Sequence, residues 1–189
     1  MERKFKKIKY KAGKVILAYE QLNKAGDWDS YSMESTEAPA PSLDLTLQGL
    51  RRPLLEETEL TMLEPVKINI GSVSISWVET EDQGTVMGAV ISALRELDKS
   101  NSPLVINSPF KPERPYTEDG DWTGCLQQET VEAIKLLFDE AELYLEGDRA
   151  QTNLFRRKPD PVMDDFKASI DAFANEMVDA NAGLEVVEC

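Results

Sequence analysis

The 189-residue chain carries 21 Lys and Arg against 35 Asp and Glu, a formal net charge of −14, with 41% hydrophobic residues and no histidine. That length and apolar content suffice for one folded domain with a real core and exclude general disorder. No apolar run approaches the ~20 residues of a bilayer span, and the basic stretch Arg3 to Lys14 lacks the hydrophobic segment of a secretory signal, so a cytoplasmic protein is expected.

In chain order, Phe5, Ile8 and Tyr10 alternate with lysines, then Val15, Leu17 and Tyr19 alternate again after Gly13, which predicts two short strands or one bent one. Lys24 to Asp27 is a turn signal, and Ser30 to Thr36 alternates, so Val15–Gln21 is expected to pair with Tyr31–Ser35 in a hairpin. The prolines of Glu37 to Pro41 (EAPAP) predict an extended connector. Leu43, Leu47, Leu50, Leu54 and Leu55 recur at helical spacing, with Gly49 and Pro53 dividing Ser42–Leu63 into two short helices.

Val66, Ile68 and Ile70 share one parity and Val73, Ile75 and Trp77 the other, so the strand Val66–Val78 is expected to carry a β-bulge at Gly71-Ser72. Val86–Leu97 fits the strand and helix periods almost equally; the acidic turn ending in Gly84 favours a strand. A short strand over Leu104–Ile106 and a proline-rich loop over 107–123 follow. Leu126–Glu146 has the strongest helical pattern, with Val131, Ile134, Leu137, Phe138, Ala141 and Leu145 in one stripe and Gly147 as its stop. A second amphipathic helix is expected over Pro161–Val178, with Asp160 as N-cap. The expected fold is α+β: a small antiparallel sheet packed with a long helix in a single domain over 1–150, a connector over 151–160, and an acidic C-terminal helix and tail over 161–189.

The charge is uneven as well as large. Residues 1–14 hold seven of the basic residues and one acidic residue, so the other 175 residues carry 14 basic against 34 acidic, a net −20. Such a surface repels phosphate and steers basic partners, so a basic DNA-handling protein is expected as partner, rather than nucleic acid or membrane. Direct nucleic-acid binding would draw on the N-terminal lysines, with Phe5 and Tyr10 supplying the stacking. Off the apolar stripe of the long helix lie Glu129, Glu132, Asp139, Glu140, Glu142 and Glu146, the candidate acidic contact residues.

Without histidine the commonest general base and metal ligand are missing. The sequence also has no nucleophile elbow, phosphate loop or dinucleotide fingerprint. No enzyme and no cofactor are expected. Glu118-Asp119-Gly120-Asp121 is the one local cluster resembling an oxygen-ligand loop; a metal-dependent carboxylate enzyme, binding Mg²⁺ or Mn²⁺ near Asp119 and Asp121, is the alternative it offers, and an Asx turn explains Asp119-Gly120 equally well. Cys125 lacks a base to activate it and reads as a core or helix-start residue; with Cys189 it forms neither a C-x-x-C pair nor a disulfide framework.

Gln151-Thr152-Asn153-Leu154-Phe155 (QTNLF) is the most specific short motif: Leu154 and Phe155 suit an apolar groove while the Gln151 amide fixes register. It is similar to the peptide by which bacterial polymerase accessory proteins dock on the sliding clamp. Val73 to Trp77, Val86-Met87-Gly88-Ala89, Asn101-Ser102-Pro103-Leu104, Pro115-Tyr116, Gly120-Asp121 and Tyr144 to Phe155 (YLEGDRAQTNLF) carry a wider likeness. Through them the stretch Val66–Phe155 resembles a family of uncharacterised bacteriophage and prophage proteins. This sequence departs from the pattern by continuing more than 30 residues past the motif. The resemblance implies a phage accessory protein, in a host bacterial cytoplasm, whose helix runs into a clamp-docking segment. By analogy with phage counter-defence factors, its acidic face could instead occlude the nucleic-acid cleft of a nuclease, as an anti-CRISPR inhibitor does.

Overall fold

A computed structural model describes residues 3–150, and these form an α+β domain; the QTNLF segment and the Pro161–Val178 pattern lie outside the described residues. The strands are β1 (Arg3–Lys11), β2 (Lys14–Leu22), β3 (Trp28–Ser35), β4 (Ile68–Thr80), β5 (Gly84–Leu97), β6 (Ser100–Asn107) and the two-residue β7 (Lys111–Pro112). They form one antiparallel sheet in the order β3-β2-β1-β4-β5-β6, with β7 extending the β6 edge against Gly88 and Ala89 of β5. Two three-stranded meanders therefore meet at a β1–β4 seam, a larger sheet than the small one expected.

Local chemistry sets each turn and register. Ala12 and Gly13 both have positive φ (52° and 76°), the two-residue turn whose twist suits a hairpin. Asn23 Oδ1 accepts from the Ala25 and Asp27 amides and closes the β2–β3 turn. The expected hairpin forms, with Val15 opposite Ser35 and Tyr19 opposite Tyr31. The bulge of β4 falls where the parity switch places it: the register against β5 shifts between Ile70 and Ser72, and the extra Gly71 returns Val73, Ile75 and Trp77 to the buried face. A second bulge, between Phe5 and Lys7 of β1, does the same for Ile8.

The three α-helices among the described residues lie on one face of the sheet: α1 (Pro41–Gly49), α2 (Arg51–Glu57) and α3 (Gln128–Leu145). Pro41 starts α1, and Pro53 falls in the first turn of α2, where its missing N–H is not needed. Leu43, Leu47, Leu50, Leu54 and Leu55 are buried against Phe5, Ile8, Leu17, Ile70, Val73, Ile75 and Ile91 of the sheet. Each such leucine stabilises the domain by roughly 1.5–3 kcal/mol. α3 adds Val131, Ile134, Leu137, Ala141 and Tyr144. It ends in a Schellman arrangement, with the Asp148 amide on Leu143 O and Gly147 at φ 103°. The proline-rich connector is pinned to the end of α3: the Tyr144 hydroxyl donates to Glu37 O, and the Ala150 amide to Ala38 O.

Candidate functional site

The two exposed layers of the domain differ in charge. On the helix side, α3 turns Glu129, Glu132, Asp139 and Glu146 to solvent, and between them Leu136 and Leu143, seven residues apart, are 60% and 44% exposed. Glu132 accepts only from Gln128 of its own helix, at 2.9 Å. The one cation of α3 itself, Lys135, reaches sideways to Glu113 at 3.4 Å, and Arg52 of α2 lies near enough to Glu129 to attract it. The result is a helix surface with two apolar knobs framed by carboxylates.

Two of the six predicted contact residues have other duties. Glu140 Oε2 accepts from Ser42 Oγ at 2.6 Å and fastens α3 to α1. Glu142 is half-buried in an ion pair with Arg3 of β1. Both partners come from the far end of the chain, so nothing near α3 in the sequence marks these residues as different. Conversely, Leu136 and Leu143 were missed, although a pair of leucines seven apart and off the buried stripe is a legible signal. Gln151, Leu154 and Phe155 lie outside the described residues.

The start of α3 is positioned by Glu57, whose side chain is fully buried at the end of α2. Its Oε1 accepts from the Gln127 amide and the Thr130 hydroxyl, both at 2.9 Å, and its Oε2 from Lys111 Nζ at 2.8 Å. A carboxylate held by a cation and two donors is a structural anchor.

The sheet's other face is lined by lysines. β1 alternates, so Phe5, Ile8 and Tyr10 turn to the helices while Lys4, Lys7, Lys9 and Lys11 turn away from them. Opposite Lys9 and Lys7 stand Ser72 and Ser74 of β4, and opposite those stand Ser92 and Val90 of β5. Phe5 and Tyr10 are thus on the wrong side to stack on anything bound by the lysines.

Asp121 accepts from the Thr123 amide and hydroxyl, which hold its carboxyl below its ordinary value and cap the 3-10 turn Trp122–Gly124. No group of three or more Cys, Asp and Glu side chains among the described residues is arranged to hold a metal. Cys125 is buried, and burial followed by the nearby Asp121 charge pushes its thiol up, away from nucleophilic character. No helix among the described residues is long and apolar enough to cross a membrane.

Comparison with protein families, with curated proteins and with solved structures finds no match to this chain.

Proposed function

We propose that this is a non-enzymatic binding protein of the bacterial cytoplasm that docks on a basic, DNA-handling protein through the outer face of α3. The observation that carries the reading is the exposed Leu136 and Leu143 framed by Glu129, Glu132, Asp139 and Glu146. Apolar knobs supply contact area that must leave water, and the surrounding carboxylates select a lysine- and arginine-rich partner and speed its approach. Gln151, Leu154 and Phe155 supply a second anchor, suited to the sliding clamp. The same carboxylate row serves an inhibitor that competes with phosphates for a nuclease cleft.

The test uses affinity capture from bacterial lysate, followed by binding of the recovered partner in purified form. Glu132→Lys/Asp139→Lys should weaken that partner at least tenfold, and raised salt should do the same to the parent protein. A partner held equally by the parent, by this variant and by Leu136→Ala/Leu143→Ala would sink the reading. Purified clamp separates the two anchors: Leu154→Ala/Phe155→Ala should abolish its binding, and unchanged binding would remove the clamp from the proposal.

A further inference from the structure

From the lysine-lined face we infer a second site: the open side of the sheet binds single-stranded nucleic acid, lysines of β1 and serines of β4 taking the phosphates and Phe110 stacking on a base. It does not depend on the helix face proposed above, which lies on the opposite side of the domain.

The first observation is the charge that remains after pairing. Among the described residues the carboxylates beside β1 on this face, Glu20 and Glu34, each already have a lysine, Lys6 at 3.2 Å and Lys14 at 2.8 Å, and Glu96 lies farther along β5 in a separate hollow with Asn69 and Leu94. Lys7 and Lys11 have no acidic partner among the described residues, and Lys9 has no hydrogen bond or ion pair, only a longer-range attraction to Glu34. Lys4 sits 4.2 Å from the centre of the Trp28 ring.

The second observation is the row of hydroxyls beside them. Ser72 and Ser74 pair directly with Lys9 and Lys7 across the seam, and neither hydroxyl has a hydrogen-bond partner among the described residues. Lys9, Lys11, Ser72 and Ser92 line the polar side of a shallow depression of about 140 Å³, whose other side is Ala93, Leu94 and Val105. Lysines beside serine hydroxyls on one hollow are donors of the kind an unesterified phosphate oxygen accepts from.

The third observation is aromatic. Phe110 is 48% exposed, and its ring lies against the backbone at Gly88 of β5, where an added methyl group would fall inside van der Waals contact of the ring. Gly88 pairs with Ser76, next along the serine row. The glycine therefore lets a ring rest on the sheet with its other side in water, which is the arrangement a base needs for stacking. An acidic peptide would use the lysines and have no use for that ring.

The chain's net negative charge does not forbid this. The solvent-facing carboxylates of α3 are separated from the lysines by the sheet and by a helix about 10–12 Å across. That exceeds the Debye length of about 8 Å at physiological ionic strength. A phosphate on the open face is governed by the lysines it touches.

The experiment measures fluorescence anisotropy of a labelled oligothymidylate titrated with the full chain across a salt series. Binding is expected at the low end of a series that starts near 0.1 M, where the Debye length is still about 10 Å, with log K falling against log salt at a slope of about −2 for three lysine contacts. Lys7→Gln/Lys9→Gln should cut affinity at least tenfold and reduce the slope by about 1.4. Phe110→Leu should weaken the oligonucleotide about fivefold or more, while binding of inorganic polyphosphate is unchanged. Glu132→Gln/Asp139→Gln, on the helix side, should leave the oligonucleotide unaffected. Circular dichroism melting checks that each variant folds, and the lysine substitutions, being on exposed side chains, are expected to melt with the parent. No binding by the parent at low salt would overturn the proposal, as would binding indifferent to the lysine pair. So would polyglutamate binding as tightly as the oligonucleotide with no effect of Phe110→Leu, which would assign the face to an acidic protein segment.

Discussion

Glu57→Ala should be among the most damaging single substitutions in the domain. It leaves the buried Thr130 hydroxyl and the Gln127 amide without their acceptor. A buried unpaired group costs about 1–3 kcal/mol, and the lower end, about 1–1.5 kcal/mol each, applies here, because Gln127 is exposed to water and a helical threonine hydroxyl can turn to a carbonyl one turn back. Lys111 keeps 24% of its side chain in water and rehydrates, so the lost ion pair adds only about 1 kcal/mol. The total is about 3–4 kcal/mol, inside the range of about 3–5 kcal/mol for removing one partner of a buried pair. With an m-value of about 2 kcal/mol per M, the urea midpoint followed by tryptophan fluorescence should drop by about 1.5–2 M. Lys111→Met should also destabilise, since it strands a buried carboxylate, and Glu57→Leu/Lys111→Met should recover part of the loss. A loss below about 1 kcal/mol for Glu57→Ala, or costs that simply add in the double variant, would refute the claim that this carboxylate anchors α3.

Gly88→Ala should displace Phe110 and lower the melting temperature, and Gly88→Ala/Phe110→Ala should restore most of the loss; a single variant that melts with the parent would contradict the packing of ring on backbone. Leu136→Ala and Leu143→Ala should change stability by less than about 0.5 kcal/mol while weakening partner binding, which separates exposed knobs from core residues. In an NMR pH titration the Asp121 carboxyl should titrate below its ordinary value and rise in Thr123→Val. Because its folded-state pKa is depressed, the stabilisation it gives the loop is present above the unfolded value and is lost as pH falls through the folded one. A titration unchanged by Thr123→Val would assign the depression to another cause.

How much of this was readable in the chain varies with the element. Gly71 announced its bulge because three apolar residues on each side kept strict but opposite parity. β5 was ambiguous for a physical reason: Val86, Met87, Gly88 and Ala89 are all buried, Met87 and Ala89 against the helices and Gly88 beneath the Phe110 ring, so no polar face records the strand period. β6 was recognised only at Leu104–Ile106, because its first half is polar and contains Pro103, which an edge strand tolerates. The acidic character of α3 was plain, but the separate fates of Glu140 and Glu142 depend on Ser42 and Arg3, brought in by tertiary folding. The lysine row was visible, whereas Phe5 and Tyr10, expected to stack beside it, face the helices. The rings on the lysine side, Trp28 against Lys4 and Phe110 against Gly88, come from β3 and from the loop before β7.

The seam between the two meanders has only three paired positions, Lys7 with Ser74, Ile8 with Val73 and Lys9 with Ser72. Beneath it, Phe138 of α3 stacks on Phe5 of β1 at 5.4 Å and leans on Trp77 of β4 at 6.1 Å, while the Trp77 indole donates to Phe5 O. The acidic helix is therefore the clasp that holds the two halves of the sheet together, and the lysine strand is one lip of the join. A short ladder is the part of a sheet that opens most readily. Side chains of α3 thus bridge β1 and β4 at the place where the backbone ladder joining the two meanders is only three residues long.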